Sequence, residues 1–456
     1  MATCAKFSKG YFNAYGRIAD RDDIDAVIHL GDYIYESNQS NDDIRPMEPN
    51  LRCETLSDFR TRYKQYHTDP DLVRARQQMP WICVWDDHET GNDCWLNGSE
   101  HFPDSADFAL VKEAATKTYF EWMTIRQDSV NPSKIYRDFS FGNLADLVML
   151  DTRREGRDQQ LIFVPANNTA INDTNRTIVG NQQFNWLTSK LSASTAKWRL
   201  IGQQVMRAPA LLFNTLVNED QWDGYPAERT KLYDHILNNN IKNVVVLTGD
   251  IHASFANNLP YDVAQYNDTT GAGSVGVEFI TPAICSSESP FSNISFSGVK
   301  MQDPHIQWAD FVQNGYMILE VTPQKVQGDF YFIITDSVSS FQTTPVSMFT
   351  LDGTRYFYRG STLNTTELVK ELNTFSVYPN PTSDVLTIKA NKTFVEKIYI
   401  EVIDYQSKKI KQLNTYISPE ETQTTINTNL LNKGNYILNI YSDKKYSKLV
   451  GFVETE

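Results

Sequence analysis

Five short apolar runs cross the first 250 residues, and each stops abruptly at polar residues. The run at 26–30 ends at Gly31-Asp32, and that at 81–85 at Asp86-Asp87-His88. The run at 147–150 ends at Asp151-Thr152-Arg153, that at 198–202 at Gln203-Gln204, and that at 243–248 at Gly249-Asp250-Ile251-His252. Apolar runs this short, rich in Val, Ile and Trp and bounded by Gly or Asp, predict buried strands. Segments of helical spacing lie between them, over 58–67, 106–122 and 182–191. Strands alternating with helices predict a layered α/β domain.

The texture changes near residue 375. Every Cys, His and Trp lies before it, the last being His305 and Trp308. Residues 376–456 carry ten Lys+Arg and nine Asp+Glu, against 32 and 47 in the preceding part, so the acidity belongs to that part. The tail opens on Tyr378-Pro379-Asn380-Pro381-Thr382, an extended and turning segment. Short alternating runs follow at 385–388, 398–402, 436–440 and 449–453, separated by Asn, Gly, Asp and Ser. That spacing predicts a small all-β sandwich without a chemistry-bearing cluster. The expected organisation is a large domain over 1–360, a linker over 361–375 and the small domain over 376–456.

Composition narrows the function classes. With 41% hydrophobic and 21% charged residues the chain is an ordinary globular one, which excludes a disordered or collagen-like protein. A net charge of −14 argues against a non-specific nucleic-acid binder, which needs a basic stripe. No run approaches the ~18 apolar residues of a membrane span, so no transmembrane segment is expected. The five cysteines, Cys4, Cys53, Cys83, Cys94 and Cys285, are odd in number and form no CxxC pair. A Cys53–Cys94 bridge is conceivable, but spacing leaves the pairing open.

In open α/β sheets ligands bind beyond the carboxyl ends of strands. Asp32, Asp86, Asp87, Arg153, Gln204, Asp250 and His252 are therefore expected to share one site. A single Asp after a strand is usually a turn residue; five strand ends of this kind are hard to explain that way. Carboxylate, imidazole, phenolate and thiolate groups are metal ligands. Two ions ~3.5–4 Å apart can share a carboxylate and clamp phosphoryl oxygens. Arg153 offers a planar fork for a phosphate oxygen. The combination reads as phosphoester hydrolysis.

These residues resemble a known family. Gly31-Asp32-Tyr33-Ile34-Tyr35-Glu36, Trp85-Asp86-Asp87-His88-Glu89, Leu150-Asp151-Thr152-Arg153, Gly202-Gln203-Gln204-Val205 and Gly249-Asp250-Ile251-His252 look like the ordered motifs of the PhoD-like alkaline phosphatases. These are metallophosphoesterases related to the purple acid phosphatases. Thr3-Cys4-Ala5-Lys6-Phe7, leading into the segment 10–15, also fits. The resemblance implies a metallophosphoesterase-type β-sandwich flanked by helices. It implies that Cys4, Asp32, Tyr35 and His252 bind Fe3+, and that Asp32 bridges to a second site that takes Ca2+. Asp250 and the pair Asp86/Asp87 complete that site. Matching to the Gly-Asn-His-Glu motif of purple acid phosphatases puts Asp87 on the ligand position, with Asp86 left open as the alternative, and His88 beside the leaving oxygen. Relatives carry a His before the last motif where this chain has Gln203 and Gln204; amide and carboxylate oxygens favour calcium there. The implied activity is that of a metal-dependent phosphoric ester hydrolase, a phosphomonoesterase or phosphodiesterase. It works through a metal-bound hydroxide, with His88 and Arg153 catalytic and Arg153 and Gln204 binding substrate. His29, inside an apolar strand, is expected to be a core histidine. His67, His101, His235 and His305 match no motif. Asp151 is expected to brace Arg153 by a salt bridge.

The tail resembles a second family. The segment 375–388, with its Tyr-Pro-Asn-Pro opening, looks like the start of a type A sorting domain of type IX secretion. Lys433-Gly434-Asn435-Tyr436-Ile437-Leu438 and the run at 448–453 fit as well. The implied partner is the type IX secretion machinery, and the implied location is secreted or cell-surface. Met1-Ala2-Thr3-Cys4-Ala5-Lys6 has no apolar signal core, so a leader and an N-terminal β-domain are expected to precede this chain in the natural protein. The alternative reading is a non-catalytic surface adhesin or binding protein on a phosphatase-like scaffold; complete motifs weigh against it.

Overall fold

The apolar run near residue 245 becomes a strand buried along its whole length, β8 (Val244–Thr248). In the computed structural model β8 lies at the centre of a seven-stranded sheet. On one side come β5 (Trp198–Gly202), β4 (Ala145–Met149) and β3 (Arg137–Phe141). On the other come β10 (Ser274–Ile280), β9 (Ser254–Pro260) and β11 (Ile306–Asp310). The central four strands β10, β8, β5 and β4 run parallel; β9, β11 and β3 are antiparallel to their neighbours.

The described residues are 1–103, 106–161, 168–212, 215–216, 218–287, 296–338, 342–359, 375–379, 382, 384–390, 397–404, 410, 413–419, 421–432, 434–441 and 447–454. Residues 361–374 of the expected linker lie outside them, as do Asn380, Pro381, Ser383 and Lys433 of the tail motifs. The chain divides into two compact units, Met1–Arg359 and Gly360–Glu456.

In the first unit, alternation along the central strands explains why they read as continuous apolar runs. Val245 and Leu247 face one core, Val244 and Val246 the other. The second core is closed by α5 (Gly180–Ala193) and α6 (Pro226–Asn238), through Leu187, Leu191, Leu232 and Ile236. The first core holds a parallel pair, β1 (Val27–His29) with β2 (Trp81–Cys83), and the helices α1 (Asn13–Ala19), α2 (Leu56–Tyr66), α3 (Pro70–Gln78) and α4 (Ala106–Trp122). A second, antiparallel sheet packs there too: β12 (Gly315–Val321), β13 (Lys325–Phe332), β14 (Val346–Leu351) and β15 (Tyr358–Arg359). The layered sandwich flanked by helices is thus present. Thr55 starts α2 with a capping box to Asp58, and Pro70 follows the Asp69 cap of α3. A short pair, β6 (Leu211–Leu212) and β7 (Thr215–Leu216), and α7 (Phe296–Gln302) lie on the periphery of the sequence pattern. The first two predicted strands pair with each other as a small sheet of their own, where β1 also takes a parallel bridge from Ala2. All five cysteines are buried free thiols, so Cys53 and Cys94 are not bridged.

The second unit has two sheets. One contains β16 (Phe375–Tyr378), β17 (Val385–Ala390) and β20 (Gln423–Asn427). The other contains β18 (Ile398–Asp404), β19 (Thr415–Ile417), β21 (Gly434–Tyr441) and β22 (Ser447–Glu454). Their inner faces share one core, with Leu386 and Ile388 from one sheet and Ile400, Val402, Leu438 and Ile440 from the other. This is the small all-β sandwich. Among the described residues no helix is long and apolar enough to cross a membrane.

Candidate metal centre

The polar ends of the predicted strands meet. Among the described residues seven non-glycine positions have positive φ, and five of them belong here: Cys4, Asp32, Asp93, Asp250 and His252. Each such residue costs of order 1–3 kcal/mol, a strain that persists only where the surroundings over-determine it. Gly31 has φ +111°, and a Cβ there would collide with the backbone and Cβ of Asp86. Only glycine therefore lets the loops after β1 and β2 touch.

Three donor sets result, and they overlap. Cys4, Asp32 and His252 form the first; Asp32, Asp87 and His88 the second; Asp86, Asp87 and Asp250 the third. Within each set the ligand atoms lie within 4.8 Å of one another. Cys4 Sγ is 3.5 Å from Asp32 Oδ2. Tyr35 joins the first set, its hydroxyl 2.9 Å from His252 Nε2. Asp86 Oδ2 and Asp87 Oδ1 are buried and have no hydrogen-bond partner, a rare condition for carboxylate oxygens that a cation would relieve. The electrostatics agree. Burial is the first cause, and neighbouring carboxylates add to it, in pushing Asp32, Cys4 and Tyr35 up. Asp250 rises to about 6 through burial, against the pull of Arg153. Burial lowers His252 to about 3, leaving the neutral imidazole that ligates metals. A bound cation would reverse the crowding of negative charge. The residues present therefore fit a metal group.

His88 is placed differently from the other donors. Its Nδ1 lies 2.7 Å from Glu36 Oε2, and its ring rests on Tyr35 with centroids 4.1 Å apart. Burial alone would lower its pKa, but Asp87, Glu36 and Asp32 outweigh that and raise it well above the ordinary value.

Arg153 is not a free fork. It is fully buried, with Nε 2.5 Å from Asp86, Nη1 2.6 Å from Asp220 and Nη2 2.9 Å from Asp250. Asp87 lies 3.8 Å from Nη2. Asp220 is held in turn by Arg157 at 2.5 Å. Gln204 also differs from expectation. Its Oε1 accepts from the Thr152 N–H and hydroxyl, and its Nε2 donates to the carbonyls of Trp85 and Leu150. The side chain thus ties three strand ends together behind the carboxylates. Asp151 braces the Arg153 turn through the backbone N–H groups of Arg153 and Arg154, not through a salt bridge. His29 is a core residue bonded to the Tyr15 hydroxyl at 2.8 Å, and His305 is bonded to the Pro209 carbonyl.

Four acidic groups of this region escaped the sequence reading. Glu36 and Glu89 sit inside the quoted motifs but received no role. Asp93 and Asp220 lie in loops outside the five predicted strand ends; the Asp93 N–H donates to Asp87 Oδ2 at 2.6 Å, and Asp220, with burial, raises Asp93 to about 8. The one available signal was acidic residues next to turn formers, in Asn92-Asp93 and Asn218-Glu219-Asp220.

The fold is that of a known phosphatase family. Residues 1–330 match the family model of the PhoD-like phosphatases, and the chain belongs to that family. It is 34% identical over 350 residues to Alkaline phosphatase D of Bacillus subtilis (strain 168). That match takes in 72% of this chain but 58% of the relative, so the chain spans little more than half of the relative's length. A solved structure of PhoD is similar with a TM-score of 0.71 and 32% identity, over 80% of this chain and 71% of that one. Residues 376–451 match the model of the secretion system C-terminal sorting domain, so the tail is the sorting domain that its opening motif resembles.

Proposed function

We propose that this chain is a secreted, metal-dependent hydrolase of phosphate esters. The observation that carries the reading is the trio of overlapping donor sets, together with the buried oxygens of Asp86 and Asp87 that have no hydrogen-bond partner. Cys4, Asp32, Tyr35 and His252 would hold Fe3+, since thiolate and phenolate suit a ferric ion. Asp32, Asp86, Asp87 and Asp250 would hold Ca2+, an all-oxygen set. When bound, the ions supply an activated water and neutralise phosphoryl oxygens.

The chain's own residues supply the rest. Glu36 fixes His88 through Nδ1, which leaves Nε2 to give a proton to the leaving oxygen. Arg153 orients Asp86 and Asp250 through direct ion pairs. Its Nη2, shared between Asp250 and Asp87, is buried and acts on substrate only through the carboxylates it holds. Gln204 acts as a positioning residue through the strand ends it ties. The tail directs export through the type IX machinery to the outside of the cell.

The test is hydrolysis of p-nitrophenyl phosphate against bis-p-nitrophenyl phosphate by the purified chain, after chelation and after adding back iron and calcium. Metal-dependent turnover of either ester is expected. Absence of turnover with both, in protein shown to hold its metals, would favour the adhesin reading. Deleting residues 376–456 in the producing cell should retain the protein in the periplasm; unaltered export would remove the sorting role.

A further inference from the structure

Glu89 is buried, 1% exposed, and lies next to the candidate ligands without being one of them. Among the described residues no salt bridge reaches its carboxylate, although its charge acts on the buried Arg154. It accepts instead from three backbone N–H groups. Oε1 takes Tyr33 N–H at 2.6 Å; Oε2 takes both Asp32 N–H at 3.1 Å and Asp86 N–H at 2.8 Å. Two of these N–H groups belong to the loop after β1 and one to the loop after β2. Each loop carries a candidate ligand, and they are the loops that touch at Gly31 and Asp86.

The backbone at Asp32 makes the contact consequential. Asp32 has φ +55°, a conformation a non-glycine residue keeps only when held. Its N–H is fixed by Glu89, while its carbonyl accepts from Ala5 N–H at 2.8 Å. Asp32 is thus pinned on one side to the segment of Cys4 and on the other to the segment of Asp86.

We propose that Glu89 is a positioning residue that clamps the two ligand loops together and so sets the spacing between the first and third donor sets. The clamp rests on the metal-centre reading above. A neutral isostere replaces it only in part. In Glu89→Gln one flip of the amide turns its NH2 toward Tyr33 N–H and the other toward both Asp32 and Asp86 N–H, so the loop after β1 loses at least one of its two bonds and the clamp is loosened.

The experiment compares wild type, Glu89→Gln and Glu89→Asp, each chelated and then titrated with calcium and with ferric ion. Far-UV circular dichroism and the melting temperature monitor the fold. Groups behind metal ligands typically change metal affinity by about 10–100-fold when substituted. Glu89→Gln should therefore keep its secondary structure, bind both ions about 10–100-fold more weakly, and recover turnover in excess metal. Glu89→Asp keeps the charge and should fall between the two. Wild-type metal affinity in a folded Glu89→Gln protein would overturn the clamp. Failure of wild type itself to bind metal would overturn the metal centre instead. Should Glu89→Gln not fold, amide hydrogen exchange of the wild type decides: the N–H groups of Asp32, Tyr33 and Asp86 are expected to be protected together, and rapid exchange at Asp32 and Asp86 would overturn the proposal.

Discussion

Arg153→Ala separates the electrostatic account of the site from a merely steric one. The guanidinium is fully buried and reaches Asp86, Asp220 and Asp250 at 2.5, 2.6 and 2.9 Å. Removing one partner of a buried ion pair leaves an uncompensated charge and costs about 3–5 kcal/mol. Three carboxylates are orphaned here, although Arg157 still holds Asp220. For a unit of the size of Met1–Arg359, an unfolding entropy of ~2 cal/mol/K per residue turns about 3–5 kcal/mol into a fall of about 4–7 °C in melting temperature. That loss should be largest in chelated protein. Added cations bind among Asp86, Asp87 and Asp250 and substitute for the missing positive charge, so the deficit should shrink on metal loading. Differential scanning calorimetry of wild type and variant, each with chelator and with calcium, measures it. Adding Asp220→Asn completes a double-mutant cycle, whose coupling should be of order 0.5–3 kcal/mol. An equal deficit with and without metal, or none at all, would refute the reasoning.

Asp32 lies in two donor sets, so Asp32→Asn should deplete both ions together and reduce turnover to near background; elemental analysis that still finds two ions per chain would remove its bridging role. A ferric tyrosinate absorbs visible light, so iron-loaded protein should be coloured and Tyr35→Phe should bleach it, as a visible spectrum will show. Burial, the first cause in each, holds His29 at about 3 and His67 and His305 at about 4. At these three positions the unfolded chain binds more protons than the native one below pH ~6.5, so their part of the stability should fall as pH drops from there toward 4. Urea midpoints of wild type and of a His67→Gln, His305→Gln variant across pH 4–7 test the sign: equal slopes would mean that these histidines are not kept neutral.

The parts of the site that could be read from sequence are those where chain direction dictates position. A buried strand that ends in Gly-Asp must deliver that Asp to the sheet edge. That Asp32, Asp86, Asp87, Asp250 and His252 meet was therefore legible, and the nearness of Cys4 and Tyr35 to them followed from the resemblance. The predicted helix over 106–122 coincides with α4, and the predicted strand over 198–202 with β5. What pattern could not show is who binds to whom once the ends meet. Arg153 reads as a free cation because Asp220, its partner, arrives from a loop 67 residues later. Gln204 reads as a ligand-facing amide because nothing in the chain marks the Trp85 and Leu150 carbonyls as needing donors. Glu89 is hidden for a similar reason: its partners are backbone N–H groups, which leave no trace in residue type.

The left-handed backbone at Cys4, Asp32, Asp93, Asp250 and His252 also bears on how such a centre can change over generations. Apart from Cys4, every residue there is Asp or His, and Asn, Asp and His are the non-glycine types that tolerate this conformation best. Glutamate or a β-branched residue at positions 32, 93 or 250 would alter the turn before it altered the ligand. Drift at these positions is thereby confined to a small alphabet, carboxylate to amide or imidazole. Each accepted step then shifts the charge of the cluster by about one unit while the scaffold stays put. Metal preference in such a lineage would move by titrating charge on a fixed frame, and a screen for folded protein, not for turnover, from a library randomised at position 32 or 250 should return Asn well before Glu.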